Sequence, residues 1–274
     1  MLRMKLLVAI LLMLIAGCEE RATVGRNSRD ARLEAISLDK WDSLAQKKIF
    51  FGHQSVGQNI VDGVRDLMSR HAEIRLDIRE TVDPKDLERP VFAHAAIGQN
   101  RNPVSKIDHF RQILESGVGA RADIALFKLC YVDIDRTTDV EALFRRYDET
   151  ITYLRTKFPD LVLIPVTVPL TTGPGGIKEM IKHALGGESS NQDDNMKRNA
   201  FNEMMRKKYG TSVFDLAESE ATQSNGEKAE FRRGGDTCYV LNRAYSSDGG
   251  HLNELGRQVI AADLLWFLAS VRNK

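Results

Sequence analysis

Two apolar stretches, residues 124–130 and 161–168, constrain this chain more than any other feature. Neither alternates apolar with polar residues, so neither suits a strand with one face in water. Strands buried on both faces belong to parallel sheets, whose crossover connections lay helices above and below. The surrounding sequence supplies the helices. Residues 56–68, 107–114, 140–158, 195–209 and 252–271 carry apolar positions at helical spacing, and Pro159 closes the third of these. Further strands are expected at 48–51, 74–78, 91–97 and 213–216. Residues 161–168, stopped by Pro169, form the clearest central strand. Strands alternating with helices predict an α/β fold with a mostly parallel central sheet covered on both faces.

The beginning of the chain reads differently. Arg3 and Lys5 precede an uncharged apolar run over residues 6–17. As a helix that run rises ~18 Å, short of the ~30 Å hydrocarbon core, so it is expected to be a secretory signal and not a permanent span. It ends Leu14-Ile15-Ala16-Gly17-Cys18, which resembles a bacterial lipobox with Cys18 as the lipidated first residue. An ordinary cleaved signal is the alternative. The lipobox resemblance implies export and a lipid anchor in the bacterial envelope. The absence of Asp after Cys18 points to the outer membrane. The expected organisation is a signal over 1–17, a polar flexible tether over 18–38, and one domain over 39–274.

Lys and Arg number 39 against 38 Asp and Glu. Loss of Arg3 and Lys5 with the signal leaves the two signs nearly equal, which gives no support to a nucleic-acid partner. Cys130 and Cys238 could pair in an oxidising compartment, although Cys130, at the end of an apolar strand, reads more simply as a small buried residue. No Cys and His cluster has zinc-ligand spacing, and neither metal nor cofactor is expected.

The chemistry is carried by two motifs near opposite ends of the domain. Gly52-His53-Gln54-Ser55-Val56-Gly57 lies where a strand hands over to a helix, and Asp248-Gly249-Gly250-His251 precedes the last helix. A serine nucleophile needs a base, and a histidine base needs an acid to fix its tautomer. Ser55, His251 and Asp248 supply one of each. Taken singly, Ser55 could be a plain N-cap and Asp248 a turn former. His53 is expected to be structural, and His71, His109 and His183 to be solvated.

An early Ser with a late Asp-x-x-His resembles the SGNH/GDSL hydrolase superfamily. The resemblance implies a three-layer α/β/α sandwich, hydrolysis of carboxylic esters, and oxyanion donors on loops after two further strands. Gly98, in Ala96-Ile97-Gly98-Gln99-Asn100, matches the first donor by position. The second is missing: where Gly-x-Asn-Asp should stand the chain reads Lys128-Leu129-Cys130-Tyr131-Val132-Asp133. Tyr131 could substitute, Asn100 could reach across, or the site could work with fewer donors. Residues 170–190 are rich in Gly but lack the Walker pattern, so they read as a rim over the site and not as a phosphate cradle. Residues 218–245 are expected to extend that rim. Acetyl groups on envelope or environmental glycans are a substrate suggested by superfamily and location. An O-acyltransferase with the same triad, or a catalytically weak carbohydrate-binding module, are the alternatives.

Overall fold

The computed structural model describes residues 28–173, 190–233 and 235–271. Its centre is a five-stranded sheet in the order β2-β3-β1-β4-β5, every pair parallel. The strands are β1 (Lys48–His53), β2 (Ile78–Glu80), β3 (Val91–Ala96), β4 (Ile124–Phe127) and β5 (Val162–Pro165). The helices are α1 (Ser28–Glu34), α2 (Leu38–Ala45), α3 (Ser55–Met68), α4 (Pro103–Ile113), α5 (Val140–Lys157), α6 (Ser190–Tyr209), α7 (Leu216–Ala221) and α8 (Glu254–Ser270). An antiparallel hairpin, β6 (Glu230–Arg233) and β7 (Asp236–Tyr239), stands apart.

Side-chain alternation along the strands divides the interior into two cores, one on each face. Ile49 and Phe51 of β1, with Ile124 and Leu126 of β4, meet Val56, Ile60 and Val64 of α3 and Ile260, Leu264 and Leu265 of α8. Phe50, Ala125 and Phe127 face the other way, against Ile107 and Phe110 of α4, Tyr147 and Leu154 of α5, and Phe201 of α6. The result is the expected three-layer sandwich. Each fully buried aliphatic or aromatic side chain contributes about 1.5–3 kcal/mol, so both faces are needed to offset the entropy of ordering the chain.

The connections locate the site. The chain leaves β1 for α3 on one face and leaves the neighbouring strand β3 for α4 on the other. Where adjacent strands send their connections to opposite faces, a crevice opens at their carboxyl ends. Residues 54–55 and 97–102 lie at that crevice.

Four expectations need correction. The strand read as central, 161–168, is an edge strand of the sheet, laddered over Val162–Pro165. Beyond it lies one parallel bridge, Val166 to Phe214, rather than a strand over 213–216. Asp215 accepts the Glu218 N–H at 3.0 Å and turns the chain into α7 before a ladder can grow. Of residues 74–78, Ile74 and Leu76 fill the core outside any ladder, and pairing begins only at Ile78. Last, the segment expected as tether is folded from residue 28. Leu33 is fully buried, and the Arg29 guanidinium pairs with Asp263 of α8 at 3.0 Å. A seven-residue helix presents too few buried positions to show a stripe. Cys130 and Cys238 are both free and buried.

Candidate active site

Ser55 owes its position to the junction of β1 and α3. Gln54 is extended (φ −138°, ψ −157°), and Ser55 is the first residue of the 14-residue helix, exposed at the carboxyl edge of the sheet. The helix can start this close to the strand because residue 57 is glycine: a Cβ there would lie 2.2 Å from the Cβ of His53. The Gln54 carboxamide donates to Ile97 O (2.8 Å) and Gly98 O (3.0 Å), lacing the loops after β1 and β3 together across the crevice. The amino end of α3 carries partial positive charge where an oxyanion beside Ser55 would form.

His251 reaches Ser55 from the other end of the chain. Its Nε2 accepts the Ser55 hydroxyl at 2.9 Å, and its Nδ1–H donates to Asp248 Oδ2 at 2.6 Å. The two bonds together fix the tautomer with the ring proton on Nδ1. The other carboxylate oxygen, Asp248 Oδ1, accepts the N–H groups of Gly250 (2.9 Å) and His251 (2.8 Å). Burial acts to raise the Asp248 carboxyl, but these hydrogen bonds outweigh it and hold the group well below the usual carboxylate range. The turn is anchored at both sides: Thr172 N–H donates to Gly249 O at 2.9 Å, and Leu252 N–H donates to Asn59 of α3 at 3.2 Å. The His251 and Asp248 side chains are 41% and 56% exposed, so water reaches the base directly.

The three candidate oxyanion donors fare differently. The Gly98 N–H is already committed, donating to His109 Nδ1 at 3.0 Å, so the expected backbone donor is not directed at Ser55. His109 is accordingly a structural acceptor and not a solvated side chain. His71 also differs from expectation, pairing with Glu73 at 3.1 Å; His183 lies outside the described residues. Asn100 is held by its carbonyl end, Oδ1 accepting from Lys106 Nζ at 2.9 Å, which leaves its amide end unengaged by Lys106. Tyr131 stands beside the triad with its ring edge-on to His251 at 5.8 Å between centroids. It fits because residue 250 is glycine, where a Cβ would come within 2.7 Å of the phenol oxygen.

Behind these loops lie buried charges that the sequence reading passed over. Asp133, fully buried, accepts from Lys106 Nζ (2.5 Å), Cys130 N–H (2.6 Å) and Arg101 N–H (2.8 Å). One carboxylate thus joins the loop after β3 to the loop after β4. Arg198 of α6 is buried and donates to Tyr131 O (2.8 Å), Thr171 Oγ1 (2.9 Å) and Asn195 Oδ1 (2.7 Å). Under Ser55, His53 Nε2 meets His94 Nδ1 at 3.0 Å, and burial pulls the His53 imidazole down to about 4. A signal for Lys106 was present: it shares a helical face with Phe110 and Ile113, where a lysine can be buried only with a counter-charge. His94, Asp133 and Arg198 gave no comparable signal.

Two clefts among the described residues are large enough to hold a ligand. One of about 860 Å³ runs between α6 and the β6–β7 hairpin and contains no triad residue. The other, about 540 Å³, borders the triad through Tyr131. Of the expected rim, residues 174–189 lie outside the described residues. Residues 171–173 pack against 241–243 through Leu241 N–H to Thr171 O (3.1 Å) and Arg243 to Gly173 O.

No protein-family model and no curated protein matches the chain. Among solved structures it is similar to a protein of Streptococcus pneumonia described provisionally as a platelet activating factor. There the identity is 13%, 95% of this chain and 98% of that one are covered, and the TM-score is 0.48. It is also similar to a provisionally assigned SGNH hydrolase from Slackia heliotrinireducens (14% identity, 81% and 97% covered, TM-score 0.44). A third is the periplasmic domain of a lipopolysaccharide acetyltransferase of Salmonella ser. Paratyphi A (12%, 88% and 95%, TM-score 0.42). Likeness at this level assigns neither activity nor substrate.

Proposed function

We propose that the protein is a serine hydrolase of the SGNH type that cleaves carboxylic esters. The observation that carries this reading is the unbroken series Ser55 Oγ–H to His251 Nε2 (2.9 Å) and His251 Nδ1–H to Asp248 Oδ2 (2.6 Å). Ser55 Oγ attacks the ester carbonyl while His251 takes its proton. The tetrahedral oxyanion collapses, the alcohol leaves with the proton from His251, and the acyl group remains on Ser55. Water, deprotonated by the same imidazole, then attacks the acyl-enzyme and releases the acid. Asp248 orients the ring and stabilises the imidazolium that forms in each half.

The partial exposure of His251, 41% of its side chain, supports water as the acceptor. For the substrate, acetyl esters on envelope or environmental glycans fit an exported enzyme. Export itself, with a lipid on Cys18, is proposed from the sequence of residues 1–18, which lie outside the described residues.

The test is labelling of the soluble domain with a fluorophosphonate probe, coupled to acetate release from an acetylated glycan. Ser55→Ala should abolish both. His251→Ala should cost nearly as much, because the hydroxyl is a poor nucleophile without a base. Asp248→Asn should lower kcat by about 10⁴-fold, and the three effects should not add. A Ser55→Ala protein that releases acetate at the wild-type rate would sink the mechanism.

A further inference from the structure

The residues 99–102 make a tight turn, with Asn102 N–H donating to Gln99 O at 3.3 Å. Its third residue, Arg101, has φ +65° and is the one non-glycine residue with positive φ among those described. Glycine or asparagine would occupy that position without strain; an arginine there is disfavoured by the contact of Cβ with the backbone. The turn cannot relax, because the Arg101 N–H is held by buried Asp133 at 2.8 Å and Asp133 is held by Lys106. Strain of this kind persists where the side chain is wanted for a task.

The Arg101 side chain is exposed and lines the 540 Å³ cleft whose far wall includes Tyr131, the neighbour of His251. The other charges of that cleft are spent on the protein. Asp133 is taken by Lys106, Asp135 by Thr137 N–H (2.9 Å), and Asp194 by Arg136 N–H (2.8 Å). Arg198 is taken by backbone and side-chain oxygens of Tyr131, Ile134, Thr171 and Asn195. Among the described residues, Arg101 alone of these presents a guanidinium with no protein partner.

We infer that this cleft is a substrate subsite in which Arg101 binds an anionic group carried by the ester, so that the enzyme prefers acidic esters over neutral ones. The inference rests on the triad reading. Planar guanidinium matches carboxylate in two parallel hydrogen bonds, and the rigid turn fixes the backbone from which it reaches, so that only the side chain is ordered at the moment of binding.

The experiment compares kcat/KM for three esters: 4-nitrophenyl acetate, 4-nitrophenyl hydrogen glutarate with its carboxylate on the acyl side, and 3-carboxy-4-nitrophenyl acetate with its carboxylate on the leaving group. The wild type should favour one of the two anionic esters over the neutral one by about tenfold, an advantage that shrinks as salt is raised. Arg101→Gln should erase the advantage, with the neutral ester changed by less than about twofold. Arg101→Lys should retain part of it. Arg101→Gly should erase it as well while raising Tm, because glycine accepts the positive φ. A purely structural Arg101 would give the opposite pattern, with all three esters slowed alike and Tm lowered in Arg101→Gln. An unchanged ratio in Arg101→Gln, or a wild type that turns over the neutral ester through Ser55 with no preference for either anion, overturns this inference and leaves the triad standing. Ser55-independent turnover, or none of the three hydrolysed, removes the triad reading and this subsite with it.

Discussion

The two walls of the candidate active site are built by opposite strategies. The Asp248–His251 wall is open to solvent and held by short-range hydrogen bonds: within four residues Asp248 accepts two backbone N–H groups and the ring of His251. The wall formed by the loops after β3 and β4 is held by ions taken out of water, with Lys106 and Asp133 both fully buried and Arg198 nearly so. The first wall can be written into a tetrapeptide. The second exists only when three distant segments close around shared charges. The open wall is free to exchange protons with solvent and substrate. The buried wall fixes direction, and each of its members is exposed to failure if a partner is lost.

This contrast predicts where mutations will damage folding rather than chemistry. The largest effect is expected for Asp133→Ala, which strands the Lys106 ammonium inside the protein. Breaking one member of a buried pair costs about 3–5 kcal/mol, so urea unfolding should shift its midpoint far below wild type. The double change Lys106→Met with Asp133→Leu should recover part of that loss, because neither member of the pair is then left charged and unpaired, although the Cys130 and Arg101 N–H groups still lose their acceptor. A double variant as unstable as Asp133→Ala would show that the pair is not the source of the stability.

A smaller effect, confined to turnover, is expected at Asn100. With the Gly98 N–H committed to His109 and Asn100 Oδ1 held by Lys106, the amide end of Asn100 is the side-chain donor proposed for the oxyanion. Removing one oxyanion donor costs about 10²–10³ in kcat, and Asn100→Ala should fall in that range with KM little changed. Tyr131→Phe should lose less than tenfold, since the ring that packs on His251 remains. Equal kcat in wild type, Asn100→Ala and Tyr131→Phe would assign the oxyanion to backbone N–H groups.

The floor beneath both walls should reveal itself through pH. His53 donates Nδ1–H to Gln54 O at 2.9 Å and is buried against His94, and its folded value lies near 4 against 6.5 for an ordinary imidazole. The unfolded ring takes up its proton as pH falls through 6.5, the folded ring only near 4. Its contribution is therefore fully present above pH 6.5, is lost progressively down to about pH 4, and is level below that. The span is on the order of 3 kcal/mol. His53→Asn should flatten the stability profile in that window, as read by urea unfolding at fixed pH. A profile as steep as wild type would place the titration elsewhere.

The sheet was legible because strands buried on both faces read as apolar runs, and residues 56–68 and 140–158 between them carried helical spacing. The order of strands was not. Residues 161–168 have the most apolar run yet form an edge strand, since burial there comes from α-helical layers and from the Phe214 bridge rather than from a second neighbour. The folded helix over Ser28–Glu34 was hidden for a related reason: a short amphipathic segment shows its purpose only when Arg29 finds Asp263, 234 residues away.

Residues 52–57 and 248–251 determined by themselves which side chains could act as nucleophile, base and orienting acid, because the spacing Asp-x-x-His and the strand-to-helix glycine are local requirements. Only the tertiary structure decided that Gly98 is committed to His109, that Asn100 is pinned by Lys106, and that Arg101 is forced into a left-handed turn. Those outcomes depend on burial, which sets whether a charge must find a partner, and burial is a property of the assembled fold and not of any window along the chain.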